Sequence, residues 1–240
     1  MANVKNKIIK KKITKNKIKP GLVRCGKVSR GVKHPQIDNF IKIGAYSRGP
    51  AEWRPLSPFL LGPIMINSDS DDLADDYHWT NCRYKKMRHC LIFENYWQGS
   101  KIYNIDVDVD VDVDEGQIKD SFFKRRERLF SLDVPKRRPV PKSKGDAVAG
   151  FYNGQIMDYI ESRKRIYCPI YASLIENSPQ FLKLKSMLKT GHNLLIVGPD
   201  GADLPMTYAT MYRAVNDPNI CFGHELVICC SLNGWAPWND

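Results

Sequence analysis

The chain has 240 residues, 42% of them hydrophobic and 10% aromatic, with a formal charge of +11. That length supports one domain with appendages or two small ones, and the composition excludes collagen, coiled coil and a bilayer-spanning bundle. Twelve Lys and Arg and no acid lie within residues 1–37, leaving the remainder at −1, so the charge indicates a basic tether on a neutral body rather than a nucleic-acid-reading fold.

In chain order, residues 1–37 are rich in Lys, Asn and Ile and run into Gly21, Gly26, Gly31 and Pro35, which predicts a disordered basic arm. Residues 38–240 are expected to form a single compact α/β or α+β domain, with helices packed on a small sheet. Residues 55–67 read as turn, short buried strand, turn, and the aspartates between Asp69 and Asp76 as a solvated loop. Phe93, Tyr96, Trp97 and Ser100 fall at helical spacing. Then comes IDVDVDVDVD, residues 105–114, whose two-residue period would stack like charges on one strand face. It is assigned to an exposed insertion spanning about 104–148, together with a second basic run from Lys124 to Lys144 whose three prolines argue for an extended connection.

The C-terminal part is the most regular. A helix is expected from about Gln155 to Arg165, interrupted at Pro169 and continuing to about Glu176. Ser178-Pro179 opens another that stops before Gly191. Asn193–Val197 is a buried strand ending in the turn Gly198-Pro199-Asp200-Gly201, and residues 223–232 are helix or strand.

The seven cysteines (Cys25, Cys82, Cys90, Cys168, Cys221, Cys229, Cys230) are odd in number. Lysines break up Ile8, Ile9 and Ile13, so no signal-peptide pattern opens the chain. Together these predict a reduced, intracellular, cytoplasmic protein without membrane association. No glycine-rich phosphate loop is present. Four residues after His224 stands Ile228, which removes the zinc-protease pattern, and Val109 stands where a calcium loop needs Gly. His78, Cys82, His89 and Cys90 include metal-ligand types, but His89 and Cys90 are adjacent and no C-x-x-C occurs. No metal and no cofactor are expected.

Three segments carry candidate chemistry. Glu94, Trp97, Gln98 and Lys101 are spaced to share one helix face. There a carboxylate among aromatics is desolvated, Trp97 offers a stacking face, and Gln98 and Lys101 hold polar or anionic groups. Asp200 and Asp203 follow the NLLIV strand, where open α/β sheets place ligands. His224 follows Gly223, which permits close backbone approach, and is of a type able to act as a donor or acid. Buried core packing and an ordinary turn are the bland alternatives for each.

FENYWQGSK, the helical stretch from Tyr159 to Gly191, and the strand NLLIVGPDGAD resemble, in order and character, the NADAR family of ADP-ribose-linked N-glycosidases. In that family an early E-x-x-x-Q-x-x-K helix supplies a glutamate, an L-x-x-T-G stretch follows, and a strand ending in acidic residues completes the pocket. Glu94, Gln98 and Lys101 match the first motif, Lys189-Thr190-Gly191 the second, and Asp200 or Asp203 the third. The likeness covers roughly residues 55–103 and 150–204, and GADLPMTY stands where the family has a glycine-tryptophan-glycine signature. It implies a hydrolase cleaving a ribose N-glycosidic bond of an ADP-ribose-type or phosphorylated nucleotide, with Glu94 and Asp200 catalytic. Trp97, Gln98, Lys101, Asp203 and His224 would be substrate-binding, and Lys101 with Arg163 or Lys164 would meet a phosphate. The competing expectation is a non-enzymatic nucleic-acid-associated or virion protein using the basic arm, which the Lys/Ile/Asn bias also fits.

Overall fold

Strand β8 (Asn193–Gly198, NLLIVG) is buried along nearly its whole length, as its continuous apolar run requires. It lies at the centre of a parallel three-stranded sheet, between β1 (Val23–Lys27) and β2 (Phe40–Gly44). The computed structural model describes residues 19–28, 37–65, 89–107 and 118–240, and helices pack with two further small sheets around this centre, the mixed α/β architecture expected. No helix among the described residues is long and apolar enough to cross a membrane.

β1 corrects the expected arm. Val23 and Cys25 enter the core while Arg24 and Lys27 stay exposed, so a strand of the central sheet lies inside a segment whose charge reads as a tail. The folded part therefore begins before Asp38. Residues 1–18 and 29–36 of that arm lie outside the described residues.

Helix α1 (Phe93–Gly99) is buried at every position. Its first N–H groups have no intrahelical acceptor and are met by the preceding loop, Phe93 N–H by Leu61 O at 2.8 Å and Glu94 N–H by Pro58 O at 3.1 Å. The short strands β3 (Ile64–Met65) and β4 (His89–Cys90) pair antiparallel just before it. Strand β5 (Lys101–Tyr103) follows, and it pairs with β6 (Ala147–Tyr152), which pairs in turn with β7 (Gln155–Met157).

The expected exposed insertion is likewise corrected. Helix α2 (Asp120–Phe130) buries Phe122, Phe123, Leu129 and Phe130, and Ile102, Val107, Phe122, Phe123, Ala149 and Phe151 form a second apolar cluster. Spacings of one, seven and eight residues place those four α2 side chains on one helical stripe, and burying it outweighs the charge on the opposite face. Asp106 is fully buried, takes Arg125 in a two-pronged ion pair at 2.5 and 2.6 Å, and accepts the Tyr103 N–H at 2.8 Å. Residues 108–117, most of the Asp-Val tract, lie outside the described residues. Within the tract, Val107 is 5% exposed, so Val107→Ala is expected to cost roughly 1.5–2 kcal/mol for two buried methyl groups. A thermal midpoint unchanged by this substitution would contradict that packing.

The expected helix from Gln155 to Arg165 is in its first part a hairpin. Asn153 and Gly154 take φ of 52° and 68°, the positive values that a two-residue Asn-Gly turn between twisted strands demands. Asp158 then caps α3 (Tyr159–Ser162), its side chain accepting the Glu161 N–H at 2.8 Å. A π-helical turn (Arg163–Tyr167) and α4 (Cys168–Glu176) continue without a break. Pro169, expected to interrupt, lies in the first turn of α4, and the wider turn before it accommodates its missing N–H and its ring. Ser178 caps α5 (Pro179–Lys189) through the Phe181 N–H, as its sequence predicts. After β8 come α6 (Tyr208–Asn216) and α7 (His224–Leu232), the latter settling residues 223–232 as helix. Every residue of α7 from His224 to Cys230 is buried, which explains an apolar content lacking any single stripe.

Candidate active site

One cavity of about 1160 Å³ gathers most of the residues singled out above: Glu94, Trp97, Gln98, Lys101, Asp200 and His224 all line it. Its buried lining comes from Ser57 and Pro58, from α1, from the π-turn and from residues 222–224 at the start of α7. Its exposed lining includes Arg48, Arg137, Tyr159 and Asp200, which therefore mark the mouth. Asp203 is exposed and not part of the lining, because the chain turns away after Gly201, so of the two acidic candidates only Asp200 belongs to the cavity.

Glu94 is 7% exposed and accepts a hydrogen bond from Gln98 Nε2 at 2.9 Å, one helical turn on. Burial holds its carboxyl above the usual carboxylate range, against the opposing pull of the Gln98 bond and of Lys101. This is not a surface partner of Lys101. The Lys101 ammonium lies 4.7 Å from the Trp97 ring centroid. Burial lowers its pKa while Glu94 and Asp200 pull it back up. Trp97 is enclosed by that ammonium, by Tyr167 at 5.1 Å and by Tyr159 at 6.4 Å. Tyr159, exposed at the mouth, therefore offers the freer aromatic surface for stacking.

Asn95 positions the basic side of the mouth. Its amide donates to Leu132 O and Val134 O at 3.4 and 3.0 Å, and its carbonyl accepts the Lys136 N–H at 2.8 Å. These three bonds fasten to α1 the loop that carries Arg137. Arg163, expected to meet a phosphate, instead donates to the carbonyls of Ala214, Val215, Asp217 and Ile220 at 3.0–3.3 Å. It closes the C-terminal end of α6, where orphan carbonyls and the helix dipole favour a cation. Lys164 does not line the cavity.

His224 borders the cavity, but its two ring nitrogens face the protein. Nε2 donates to Ala45 O at 2.6 Å, and Nδ1 lies 3.3 Å from Glu225 Oε2. Nε2 is thus engaged inside the fold, while Nδ1 faces the Glu225 carboxyl without a hydrogen bond. Glu225, absent from the expected site, is fully buried. Its Oε1 accepts the Asp200 N–H at 3.4 Å, and Oε2 has no hydrogen-bond donor among the described residues. A Cβ at Gly198 would fall 1.7 Å from Oε1 and one at Gly223 2.7 Å from Oε2, so this carboxyl fits only because both positions are glycine.

Burial raises the Glu225 pKa, with His224 opposing. The folded state therefore holds this proton more tightly than the unfolded chain. The resulting stability is present below the ordinary carboxylate range and is lost as pH rises through the raised folded value. Glu225→Gln removes that loss, so the variant's thermal midpoint is expected to gain on wild type as pH rises above the ordinary carboxylate range. A difference that stays constant with pH would overturn the assignment.

The core thiols are inert. Burial pushes Cys90 up to about 11, Cys230 up to about 12, and Cys168 and Cys229 well above the usual thiol value. Cys221, beside Asp200 in the cavity wall, is pushed up to about 11 by burial and by the Asp200 charge. Of the four metal-ligand types considered, His78 and Cys82 lie outside the described residues, and Cys90 directs its thiol to Ile92 O at 3.4 Å. Comparison with known proteins finds no matching family model, no matching curated protein and no matching solved structure.

Proposed function

We propose that the protein is an N-glycosidase-like hydrolase acting on a ribose N-glycosidic bond of an ADP-ribose-type or phosphorylated nucleotide. The observation that carries this reading is the convergence of Glu94 and Asp200 on one cavity whose mouth is flanked by Arg48 and Arg137. Breaking the C1′–N bond builds positive charge on the sugar. A carboxylate already desolvated, as Glu94 is, gains most when a cation forms beside it, and this interaction is stronger in the transition state than before it. Asp200 at the mouth accepts from ribose hydroxyls. Arg48 and Arg137 meet phosphate oxygens, a task suited to the guanidinium fork. Tyr159 stacks on a base.

This reading asks for no cofactor, and the chemistry proceeds in a reducing, cytoplasmic compartment, to which the free buried cysteines are suited. The full chain is to be incubated with ADP-ribosylated nucleosides, NAD and phosphorylated ribosides, with products separated by chromatography. Release of free base or of free ADP-ribose is expected. Release from none of them overturns the glycosidase reading and leaves a nucleic-acid-associated module. That second reading draws on the basic arm within residues 1–37 and on the exposed Lys124, Arg128, Lys136, Lys142 and Lys144.

A further inference from the structure

The π-turn Arg163–Tyr167 is closed by a Cys168 N–H to Arg163 O bond, five residues back. Such a turn widens the helix and re-aims the side chains that follow it. In an uninterrupted α-helix, Tyr159, Arg163 and Tyr167 would lie at about 0°, 40° and 80° around the axis. At about 4.4 residues per turn over the π segment, Tyr167 instead swings back to within about 10° of Tyr159. All three side chains consequently line the cavity.

The Tyr167 ring is held on several sides, by Trp97 at 5.1 Å, Phe93 at 5.4 Å and Tyr171 stacked nearly parallel at 6.3 Å. Its neighbour Tyr171 donates its hydroxyl to Leu56 O at 2.6 Å. The Tyr167 hydroxyl, by contrast, has no hydrogen-bond partner among the described residues, although its side chain borders the cavity. The ring is buried but the hydroxyl is open to the cavity and not sealed in the core, so whatever completes its hydrogen bonding comes from the cavity.

We propose that Tyr167 is a substrate-contacting residue whose phenolic hydroxyl donates to the leaving base as its glycosidic bond opens, an inference that rests on the glycosidase reading. In the step, the C1′–N electron pair moves onto the base. The oxygen of a water bonds to C1′, the water's proton passes to the Glu94 carboxylate, and the base is protonated from there. The phenol keeps its own proton and only shares it, taking up part of the negative charge that gathers on the base. Burial, reinforced by Glu94 and Glu225, holds the phenol well above its usual pKa, so it remains a donor. Such a donor matters most for a purine, a poor leaving group, and least for nicotinamide, which departs neutral from a cationic ring.

The test is Tyr167→Phe, which keeps every ring contact. The expected result is an unchanged thermal midpoint and unchanged ADP-ribose affinity by calorimetry. Release of the purine leaving group, as its nucleoside, from an ADP-ribosylated purine nucleoside should fall by about 10- to 100-fold, and release of nicotinamide from NAD by less than about 3-fold. Equal losses on both substrates, or no loss on either, overturn the proposal while leaving the glycosidase reading standing. A wild type that releases neither base overturns both. Should the Phe variant be destabilised, 3-fluorotyrosine placed at the same position keeps ring and hydroxyl and strengthens the donor. Purine release should then speed up relative to nicotinamide release, and an unchanged ratio counts against the proposal.

Discussion

Glu94→Gln is expected to lower turnover on the order of 10² or more while fold and ligand affinity are retained. The substitution keeps the shape of the side chain and an oxygen to accept from Gln98 Nε2, and it removes only the charge. Because burial already favours the neutral form of Glu94, an amide there avoids the cost of burying a charge and the variant should be at least as stable as wild type near neutral pH. Stability and activity therefore move apart. Wild-type activity should also fail on the acid side at a pH above the ordinary carboxylate range, as Glu94 takes up its proton, and the residual activity of the Gln variant should lack that limb. Turnover unchanged by the substitution, measured by base release, removes Glu94 from the mechanism.

The second large effect concerns the N-terminal strand. Deleting residues 1–18 is expected to leave the thermal midpoint within ~2 °C, whereas deleting residues 1–28 should abolish cooperative unfolding. The longer deletion strips β1 from β8, exposing one edge of the central strand and removing Val23 and the 1%-exposed Cys25 from the core. Two buried apolar side chains at about 1.5–3 kcal/mol each, with several ladder bonds near 1 kcal/mol, add up to much of a domain's net stability of about 5–15 kcal/mol. Calorimetry on the two truncations decides the matter. A normal transition in the shorter protein would return residues 19–28 to the tail.

What the sequence made legible depended on how local its signals were. Ser178-Pro179 and NLLIV announce α5 and β8 through one cap and one apolar run, and both stand as expected. β1 was hidden because its inward residues alternate with Arg24 and Lys27, and a window of surrounding lysines drowns a two-residue period. The hairpin of β6 and β7 did carry a readable signal, Asn153-Gly154, which the helical pattern downstream of it masked. In the cavity, Glu94, Trp97 and Gln98 were accessible from helical spacing, and Asp200 from its place after a strand; Lys101, expected on the same helix face, reaches the cavity from β5 instead, because the helix ends at Gly99. Arg48, Arg137 and Tyr159 were not. They reach the mouth through tertiary placement of three separate segments, which no spacing rule encodes, and Tyr167 arrives only because the helix widens by one residue.

The order of the central sheet also governs when the protein can fold. Among the described residues β1 and β2 pair only with β8 and not with each other, and their partner residues lie about 150 or more positions later in the chain. During synthesis at about 5–20 residues per second, β2 leaves the ribosome roughly 7–30 s before its partner exists. Until then the first two strands of the sheet are open edges, one of them bearing a thiol destined for the core. The enclosed helix α7 follows later still and has no apolar surroundings of its own until the sheet is assembled. Such nonlocal wiring makes folding slow, and it gives the lysines and arginines around these strands a role before the native state exists, keeping unpaired edges from joining those of another chain.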